Sequence, residues 1–515
     1  MTAPVRTVSN WQGEPWAAVA ETQSAVVFFA GDRAWKLKKP VDLGFLDYTT
    51  PETRAAACQR ETELNRRFAP GEYLGVAEVL DHAGRTCDHL VMMRRMPACR
   101  RLSTMVRKHE PLLAVRQVAR VLAVQHTQGP RGPHIAEQGS RDALRERWAD
   151  NIDQIREVPD PRGDASIDEV ERLACRFLAA RAPLLDARIR EGRIVDGHGD
   201  LGADDIFCLD DGPRILDCLD FDDHLRWVDG LDDAAFLAMD LERLGAPELA
   251  EDFMSAYAEF AADNAPASLL HHYTAYRALV RAKACLHEHA HGMAEPSYLE
   301  KLALRHLRAG AVVLVLVGGL PGTGKSSLAG TVADQLGFTL LSSDRIRKEL
   351  AGLPAEANAS APYAEGIYSQ EWTERSYAEL LHRATVLLAY GESVVADASF
   401  TSASHRDAAL TASATVCADL VQLRCVTSRE LAAARLRTCG RGPSDADPDI
   451  AAQMEAAADA WPDATVVNTE EGGVDIGDGQ VGRLPTACVQ QALEAIRPHG
   501  RANVGRVTPP YMLPG

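Results

Sequence analysis

The chain has no run of about 18 uncharged apolar residues, so no membrane-spanning helix is expected. Its first residues, MTAPVRTVSNWQGEPW, lack the apolar stretch of a secretory signal. The 11 cysteines are scattered, odd in number and include no C-x-x-C pair. That usage fits reduced thiols in a cytoplasm and excludes a disulfide framework. Positive charge is scarce: 55 Lys and Arg stand against 73 Asp and Glu, for a net charge of −18. A pI near 5.4 argues against a broad surface for polyanions but leaves room for a local basic channel. Long nucleic acid is therefore a disfavoured partner, not an excluded one. Internal repeats and long low-complexity tracts are absent.

What is present is ordinary soluble material in an unusual order. With 515 residues, 46% of them apolar, the chain exceeds a single core, and two or three domains are expected. AVVFFAGDRAWKLKKP reads as a strand, a Gly-Asp turn and a second strand. TRAAACQRETELNRRFAP reads as a helix that stops at Pro70, and HLVMMRRMP as another strand. Long helical patterns follow. From Ala311 the pattern changes. AVVLVLVGGLPGTGKSS is an apolar run entering a glycine-rich turn, as for a strand buried on both faces. FTLLSS, ESVVADASF, ADLVQLRCV and ATVVNT are further strand candidates, separated by helical patterns. This predicts a parallel sheet with helices on both faces. The expected division is 1–308, 309–495 and a Pro- and Gly-rich tail, 496–515, without stable order.

The segment Gly319, Leu320, Pro321, Gly322, Thr323, Gly324, Lys325 and Ser326 satisfies G-x-x-x-x-G-K-[ST] in full. Each residue type has a physical reason. Glycines let backbone N–H groups turn inward around phosphates, and Lys325 reaches the β- and γ-phosphates. The Ser326 hydroxyl can ligate Mg²⁺, and the following helix, with Ser327 in its first turn, points its positive end at the anion. LLSSDRIRKEL then sets Asp344 at the carboxyl edge of the sheet, where it can deprotonate an attacking hydroxyl. Arg347 shares a helix face with Asp344 and can hold the acceptor's anionic group. A helix cap with an ordinary arginine is the plainer reading of this pair. Asp397 ends a later strand, where it can serve Mg²⁺ through water or cap the next helix. Arg435, Arg437 and Arg441 precede a flexible GPSDAD stretch, as in a lid that neutralises the transferring phosphoryl. A solvated basic helix end is the simpler alternative.

These residues resemble the small P-loop kinases, among them zeta toxins, polynucleotide kinases and gluconate kinases. The likeness runs from about Ala311 to Ala495. It implies transfer of a γ-phosphoryl from MgATP to a hydroxyl with Asp344 as base, and it does not name the acceptor.

DGHGDLGADDIFCLDDGPRILDCLDFDD, from Asp196, packs ten aspartates before residue 224. Its spacing fails the EF-hand calcium loop from any starting aspartate. It fits a kinase catalytic loop better: His198-Gly199-Asp200, then Asp205 five residues on, then Asp217 after the short strand PRIL. Asp200 would orient and deprotonate an acceptor hydroxyl, while Asp205 and Asp217 would ligate Mg²⁺ bound to ATP. Upstream, AWKLKKP supplies a phosphate-pairing lysine. Lys38 is preferred and Lys36, on the same face, is the alternative. Glu61, in CQRETELNRRF, is the expected partner of that lysine. A half-exposed strand beside an amphipathic helix is the competing reading.

This half resembles the aminoglycoside phosphotransferase family, carried by HGDL, ILDCLDFDD, KLKKP and RETEL. The whole order is similar to bacterial fusions of such a domain with a P-loop ATP-binding domain. VDLGFLDYTT and YRALVRAKA match that fusion family without an evident chemical role. The resemblance implies an N-terminal protein-kinase-like bilobal α+β fold and a C-terminal P-loop NTPase fold, a three-layer α/β/α parallel sheet. It implies ATP and Mg²⁺ as cofactors, small hydroxylated molecules as acceptors and a cytoplasmic enzyme. The family carries Asn where this chain has Asp205, and no G-x-G-x-x-G loop lies near the N-terminus. Those departures keep a second expectation open: a non-catalytic metabolite-binding module regulating the P-loop part. HEHAH, His287 to His291, is read as a helix end, because i, i+2 and i+4 do not share a face. Cys208, Cys218 and Cys425 are read as packing residues.

Overall fold

The computed structural model describes residues 10–44, 46–109, 113–158, 165–288, 294–354, 357, 364–438, 448–470 and 485–500. The chain opens with a small hairpin, β1 (Asn10–Trp11) and β2 (Glu14–Pro15). Five strands then form an antiparallel sheet: β3 (Ala17–Glu21), β4 (Ala25–Ala30), β5 (Arg33–Lys38), β6 (Tyr73–Leu80) and β7 (Thr86–Arg94). Their order is β3-β4-β5-β7-β6. Between β5 and β6 runs α1 (Pro51–Phe68), which packs on β6 and β7. Its start is well specified: Pro51 opens the first turn and the Thr50 hydroxyl accepts the Thr53 N–H at 3.2 Å.

A mainly helical lobe follows. It holds α2 (Leu102–Arg107), α3 (Leu113–Gln128), α4 (Pro133–Glu137), α5 (Arg141–Arg156), α6 (Ala165–Ala179) and α7 (Ala182–Arg190). Two short ribbons interrupt it. β8 (Ile194–Asp196) pairs with β11 (Trp227–Asp229), and β9 (Ile206–Leu209) with β10 (Gly212–Ile215). Then come α8 (Gly230–Arg243), α9 (Pro247–Ala261), α10 (Ala267–Glu288) and α11 (Ala294–Ala309). In α8 every residue but Glu242 is buried, so it is a central helix, packed between α9 and α10. A five-stranded sheet with one helix, joined to a helical lobe, is the kinase-like bilobal α+β plan expected. Of HEHAH, residues 289–291 lie outside the described residues.

The remaining chain is a three-layer α/β/α unit. Its elements are β12 (Val313–Gly318), α12 (Lys325–Leu336), β13 (Thr339–Ser342), α13 (Ser343–Leu350), α14 (Gln370–Ala389) and β14 (Val394–Asp397). After them come α15 (Ala403–Thr415), β15 (Asp419–Val426), α16 (Arg429–Thr438), α17 (Pro448–Ala456), β16 (Thr465–Asn468) and α18 (Thr486–Gly500). The strands are parallel in the order β13-β14-β12-β15-β16. β12 is buried at all six residues. Val313, Val315 and Val317 face α12 and α18, while Leu314 and Leu316 face the core shared with α14. The continuous apolar run in the sequence has this cause: alternate side chains enter two different cores. The helix α18 runs to Gly500, past residue 496 where the tail was expected to start, and 501–515 lie outside the described residues.

One large hydrophobic core reaches from Leu64 and Trp148 through Phe253 and Tyr273 to Leu316, Leu388 and Phe400. Polar ties cross the same seam. Arg176 pairs with Asp419 at 2.6 Å, and Ser268 Oγ donates to the Gly391 carbonyl at 2.7 Å. Among the described residues no helix is long and apolar enough to cross a membrane. Cys208, Cys218 and Cys425 are buried in the cores, and burial pushes all three thiols up, Cys208 to about 11 and Cys425 to about 12.

Candidate active sites

The glycine loop leaves the carboxyl end of β12, where the sheet switches direction between β14 and β15. Gly319, Gly322 and Gly324 have φ of 145°, 82° and 83°, a region that side chains disfavour. Space is closed as well. A Cβ at Gly319 would lie 2.7 Å from the Cys425 carbonyl oxygen, and one at Gly322 2.6 Å from that of Ala432. Leu320 and Pro321 form the bend between them, and the Thr323 hydroxyl donates to the Leu320 carbonyl at 2.7 Å. Lys325 begins α12, and Ser326 and Ser327 are exposed in its first turn. The loop therefore presents backbone N–H groups, a lysine and a hydroxyl at one helix N-terminus, the arrangement that binds a polyphosphate.

Asp397 closes β14 beside this loop, in register with Val317 and with Ser342. The Ser326 and Ser342 hydroxyls lie beside its carboxyl. Burial raises its pKa, with Lys325 pulling the other way. Its Oδ1 is buried without a hydrogen-bond partner. An orphaned carboxylate oxygen next to the serine hydroxyl fits a hard divalent cation held partly by phosphate oxygens. Asp344 stands in the first turn of α13, and its Oδ1 accepts from Arg347 Nη1 at 3.0 Å. Arg347 is buried and lies over the Tyr368 ring, its charge centre 4.8 Å from the centroid. So the two residues read from SSDRIR do meet, as an i, i+3 ion pair.

The arginines expected in a lid behave differently from one another. Arg435 braces the glycine loop: it donates to the Gly322 carbonyl at 3.4 Å, to Thr469 Oγ1 at 3.1 Å and to the Thr469 carbonyl at 2.9 Å. Thr469 in turn donates to the Thr323 carbonyl at 2.7 Å. Arg437 is exposed and donates to Ala433 of its own helix at 3.1 Å. Arg441 lies outside the described residues.

The second constellation lies between the five-stranded sheet and the helical lobe. Lys36 and Lys38 share one face of β5 and both reach Glu61 of α1, at 3.0 and 2.9 Å. Their other partners separate them. Lys36 Nζ also meets Asp217 Oδ1 at 2.8 Å. Lys38 is buried, donating to Asp220 at 2.7 Å and to the Tyr48 hydroxyl at 3.1 Å. The preferred Lys38 and the alternative Lys36 are thus placed differently. Lys36 faces the aspartate at the expected metal position, while Lys38 is consumed by a buried clamp. Burial alone would lower both ammonium groups, and the carboxylates outweigh it and hold both charged.

Asp217 sits at φ 61°, an uncommon conformation for a side-chain-bearing residue. Its N–H donates to the Tyr73 hydroxyl at 3.2 Å, and the next N–H, of Cys218, to Asn65 Oδ1 at 2.8 Å. Lys36 holds the Asp217 carboxyl below the usual range against the effect of burial. Asp200 and Asp205 move the other way. Protein enclosure raises both, and neighbouring carboxylates, Asp217 for each and Asp200 for Asp205, add to it. Three carboxylates in mutual repulsion form a donor set that a divalent cation would relieve. Among the described residues no group of three or more His, Cys, Asp and Glu is close enough to hold a metal unaided. A site completed by phosphate oxygens needs fewer.

The supports of this loop were not visible in the motif. Asp233 of α8 accepts the N–H of His198 at 2.6 Å and of Gly199 at 2.9 Å, and also contacts His126 Nε2 at 3.0 Å. Asp240, two turns on, accepts the Ala203 N–H at 2.8 Å. Asp232 forms a bidentate pair with Arg277, whose Nη1 donates to the Gly199 carbonyl at 3.2 Å. His198 is neutral by burial and donates Nε2–H to the Leu216 carbonyl at 2.9 Å, tying the loop to the strand before Asp217. The available signal was GLDDAAFLAMD, three aspartates in an otherwise apolar helix. Such charges are buried only with partners. YRALVRAKA supplies one of those partners, Arg277, while VDLGFLDYTT supplies Tyr48, whose hydroxyl accepts from Lys38.

Comparison with known proteins bears on both halves. An AAA domain family model matches residues 314–460. The chain is 41% identical over 455 residues to "Uncharacterized protein Rv2004c" of Mycobacterium tuberculosis (strain ATCC 25618 / H37Rv), covering 87% of this chain and 91% of that protein. The same figures hold for "Uncharacterized protein Mb2027c" of Mycobacterium bovis. Among solved structures, a gluconokinase from Sinorhizobium meliloti 1021 aligns at 19% identity, covering 37% of this chain and 93% of that one, with a TM-score of 0.25. A choline/ethanolamine kinase family protein from Mesorhizobium loti aligns at 16% identity, covering 56% and 86%, with a TM-score of 0.37.

Proposed function

The chain belongs to the family of the mycobacterial proteins Rv2004c and Mb2027c, and we propose that it is an ATP-dependent phosphotransferase acting on a hydroxyl of a small molecule. The observation that carries this is the glycine loop at the start of α12, with Lys325 and Ser326 set beside the buried carboxyl of Asp397. In this reading the loop N–H groups and Lys325 bind the phosphates of ATP. Asp344 takes the proton of the acceptor hydroxyl, and its contact with Arg347 orients it. Arg435 holds the loop's shape. Mg²⁺, held by Ser326 and Asp397, would neutralise charge on the phosphate oxygens.

The second candidate site is the cleft of the first half. There Lys36, fixed by Glu61, would meet the phosphates, Asp200 would take the acceptor's proton, and Asp205 and Asp217 would ligate Mg²⁺. The neutral His198 and the carboxylates of α8 keep Asp200 in place. The acceptor would be a small hydroxylated molecule. A specific observation also favours the rival reading, in which this half binds a metabolite without reacting it. Asp205 adds a third carboxylate where the phosphates would lie, and Lys36 is already engaged by Asp217.

A metabolite-panel assay with γ-labelled ATP separates the readings. Wild type, Asp200→Ala and Lys325→Ala are compared product by product. Loss of one product class in each variant supports two kinase sites. Intact products in Asp200→Ala leave the first half as a binding module. Unchanged ATP turnover in Lys325→Ala would sink the P-loop assignment.

A further inference from the structure

A cavity of about 30 Å³ lies at the seam between the helical lobe and the parallel sheet, and no residue named in the two constellations above is on its wall. Its walls include Arg176, Phe177 and Arg181 near the end of α6, Ser268 and His272 of α10, and Cys417 just before β15. The volume exceeds the ~10–15 Å³ that a single water requires.

Two of its polar side chains each keep one buried N–H without an acceptor. Arg181 is 1% exposed. Its Nη1 donates to backbone carbonyls, that of Val416 at 2.8 Å and that of Ala180 at 3.3 Å, and its guanidinium lies 5.4 Å from the Phe177 ring centroid. Its Nε–H is buried without an acceptor, and among the described residues it forms no ion pair. His272 is 2% exposed, and its Nε2 accepts the Trp148 indole N–H at 3.0 Å. In a neutral imidazole that leaves the proton on Nδ1. This Nδ1–H is also buried without an acceptor. Burial and the nearby Arg181 push His272 down to about 3, so the ring is neutral at physiological pH. Burial lowers Arg181 only to about 10, so it stays charged. The acidic neighbour at the rim, Asp419, is paired with Arg176 at 2.6 Å.

The cavity thus combines an uncompensated buried cation with two unused N–H donors and no carboxylate on its wall. Buried charge without a counter-charge is strongly destabilising, and so is each buried donor without an acceptor. A water could accept from both N–H groups, but it brings no counter-charge. We propose that the cavity is a binding site for one small inorganic anion of halide size, held by Arg181 and by His272 Nδ1–H. The anion is the missing counter-charge of Arg181, and because Arg181 also grips Val416, its binding fastens the helical lobe to the sheet.

Two measurements on the full chain test this. Crystals grown in bromide are examined for an anomalous peak. A peak inside the cavity in contact with Arg181 is expected, whereas an ordered water alone, or an empty cavity, overturns the site. In solution, thermal unfolding is followed in sodium chloride and in sodium gluconate at equal ionic strength. Chloride should raise the midpoint of the wild type by roughly 2 °C over gluconate. The difference should vanish in Arg181→Met, and also in His272→Phe, which removes the donor and keeps the ring. Equal midpoints in both salts for the wild type, or a chloride effect retained in both variants, overturn the proposal. The bromide result stands even where a variant fails to fold.

Discussion

The ammonium of Lys36 meets the carboxylate of Asp217 at 2.8 Å across 181 residues of chain. Two residues away, Lys38 points the same way and never reaches Asp217, because Asp220, Tyr48 and Glu61 occupy it. The two lysines therefore predict different losses. Lys36→Ala should abolish nucleotide binding at the first site while leaving the fold intact. Lys38→Ala should destabilise the sheet lobe, because it leaves the half-buried Asp220 carboxylate and the Tyr48 hydroxyl without their partner and Glu61 with Lys36 alone, at a cost of about 3–5 kcal/mol. Nucleotide titration together with thermal unfolding of both variants distinguishes them. Equal stability in the two sinks the assignment.

Gly322→Ala should weaken nucleotide binding by the P-loop half. The position has φ 82°, and the added methyl would sit 2.6 Å from a backbone oxygen of α16. The loop must open, while the core around β12 stays packed. Circular dichroism should remain near wild type as ATP affinity falls at least tenfold, or about 1.4 kcal/mol. Wild-type affinity would show that the loop does not cradle phosphate.

Asp205→Asn carries a pH signature. In the folded, ligand-free protein enclosure and neighbouring carboxylates raise the Asp205 pKa. A raised carboxylate favours folding while protonated, so its contribution is lost as pH rises from the ordinary aspartate range, roughly 4, through the raised value. Asparagine removes that loss. The variant should be the more stable protein at pH 7, with the gap closing as pH falls toward 4. Mg²⁺ should stabilise the wild type more than the variant. Thermal midpoints across pH, with and without Mg²⁺, decide it, and a gap independent of pH contradicts the expectation.

Asp233 points the opposite way in pH. Burial would raise it, but the hydrogen bond with His126 first, with the Arg277 charge adding, brings it well below the usual range. Its stabilisation is present above the unfolded aspartate pKa and fades only as pH falls toward the depressed folded value. Asp233→Ala should therefore destabilise the protein at neutral pH, by about 3–5 kcal/mol, since His198 and Gly199 lose their acceptor and His126 its partner. Phosphoryl transfer assigned to Asp200 should fall with it. An Asp233→Ala protein as stable as wild type at pH 7 would show that α8 does not hold the loop.

The sequence by itself determined the elements whose chemistry is local. The glycine loop was legible because its φ angles, its close backbone approach and its helix start all fall within eight adjacent residues. The strands of the parallel sheet were legible because burial on both faces leaves an unbroken apolar run. The spacing of Asp200, Asp205 and Asp217 was legible for the same reason: it lies on one short stretch. Tertiary structure alone decided the rest. Lys36 and Lys38 have the same period and the same face, so only the fold could say which one meets Asp217. The aspartates of α8, His126 and Arg277 act on the loop through contacts tens of residues distant, which no local pattern encodes. Arg435 was read from its spacing as a lid arginine or a plain helix end, and only packing sets it against Thr469 and the Gly322 carbonyl. The cavity at Arg181 exists only because two separately coded layers close over an arginine that neither layer neutralises.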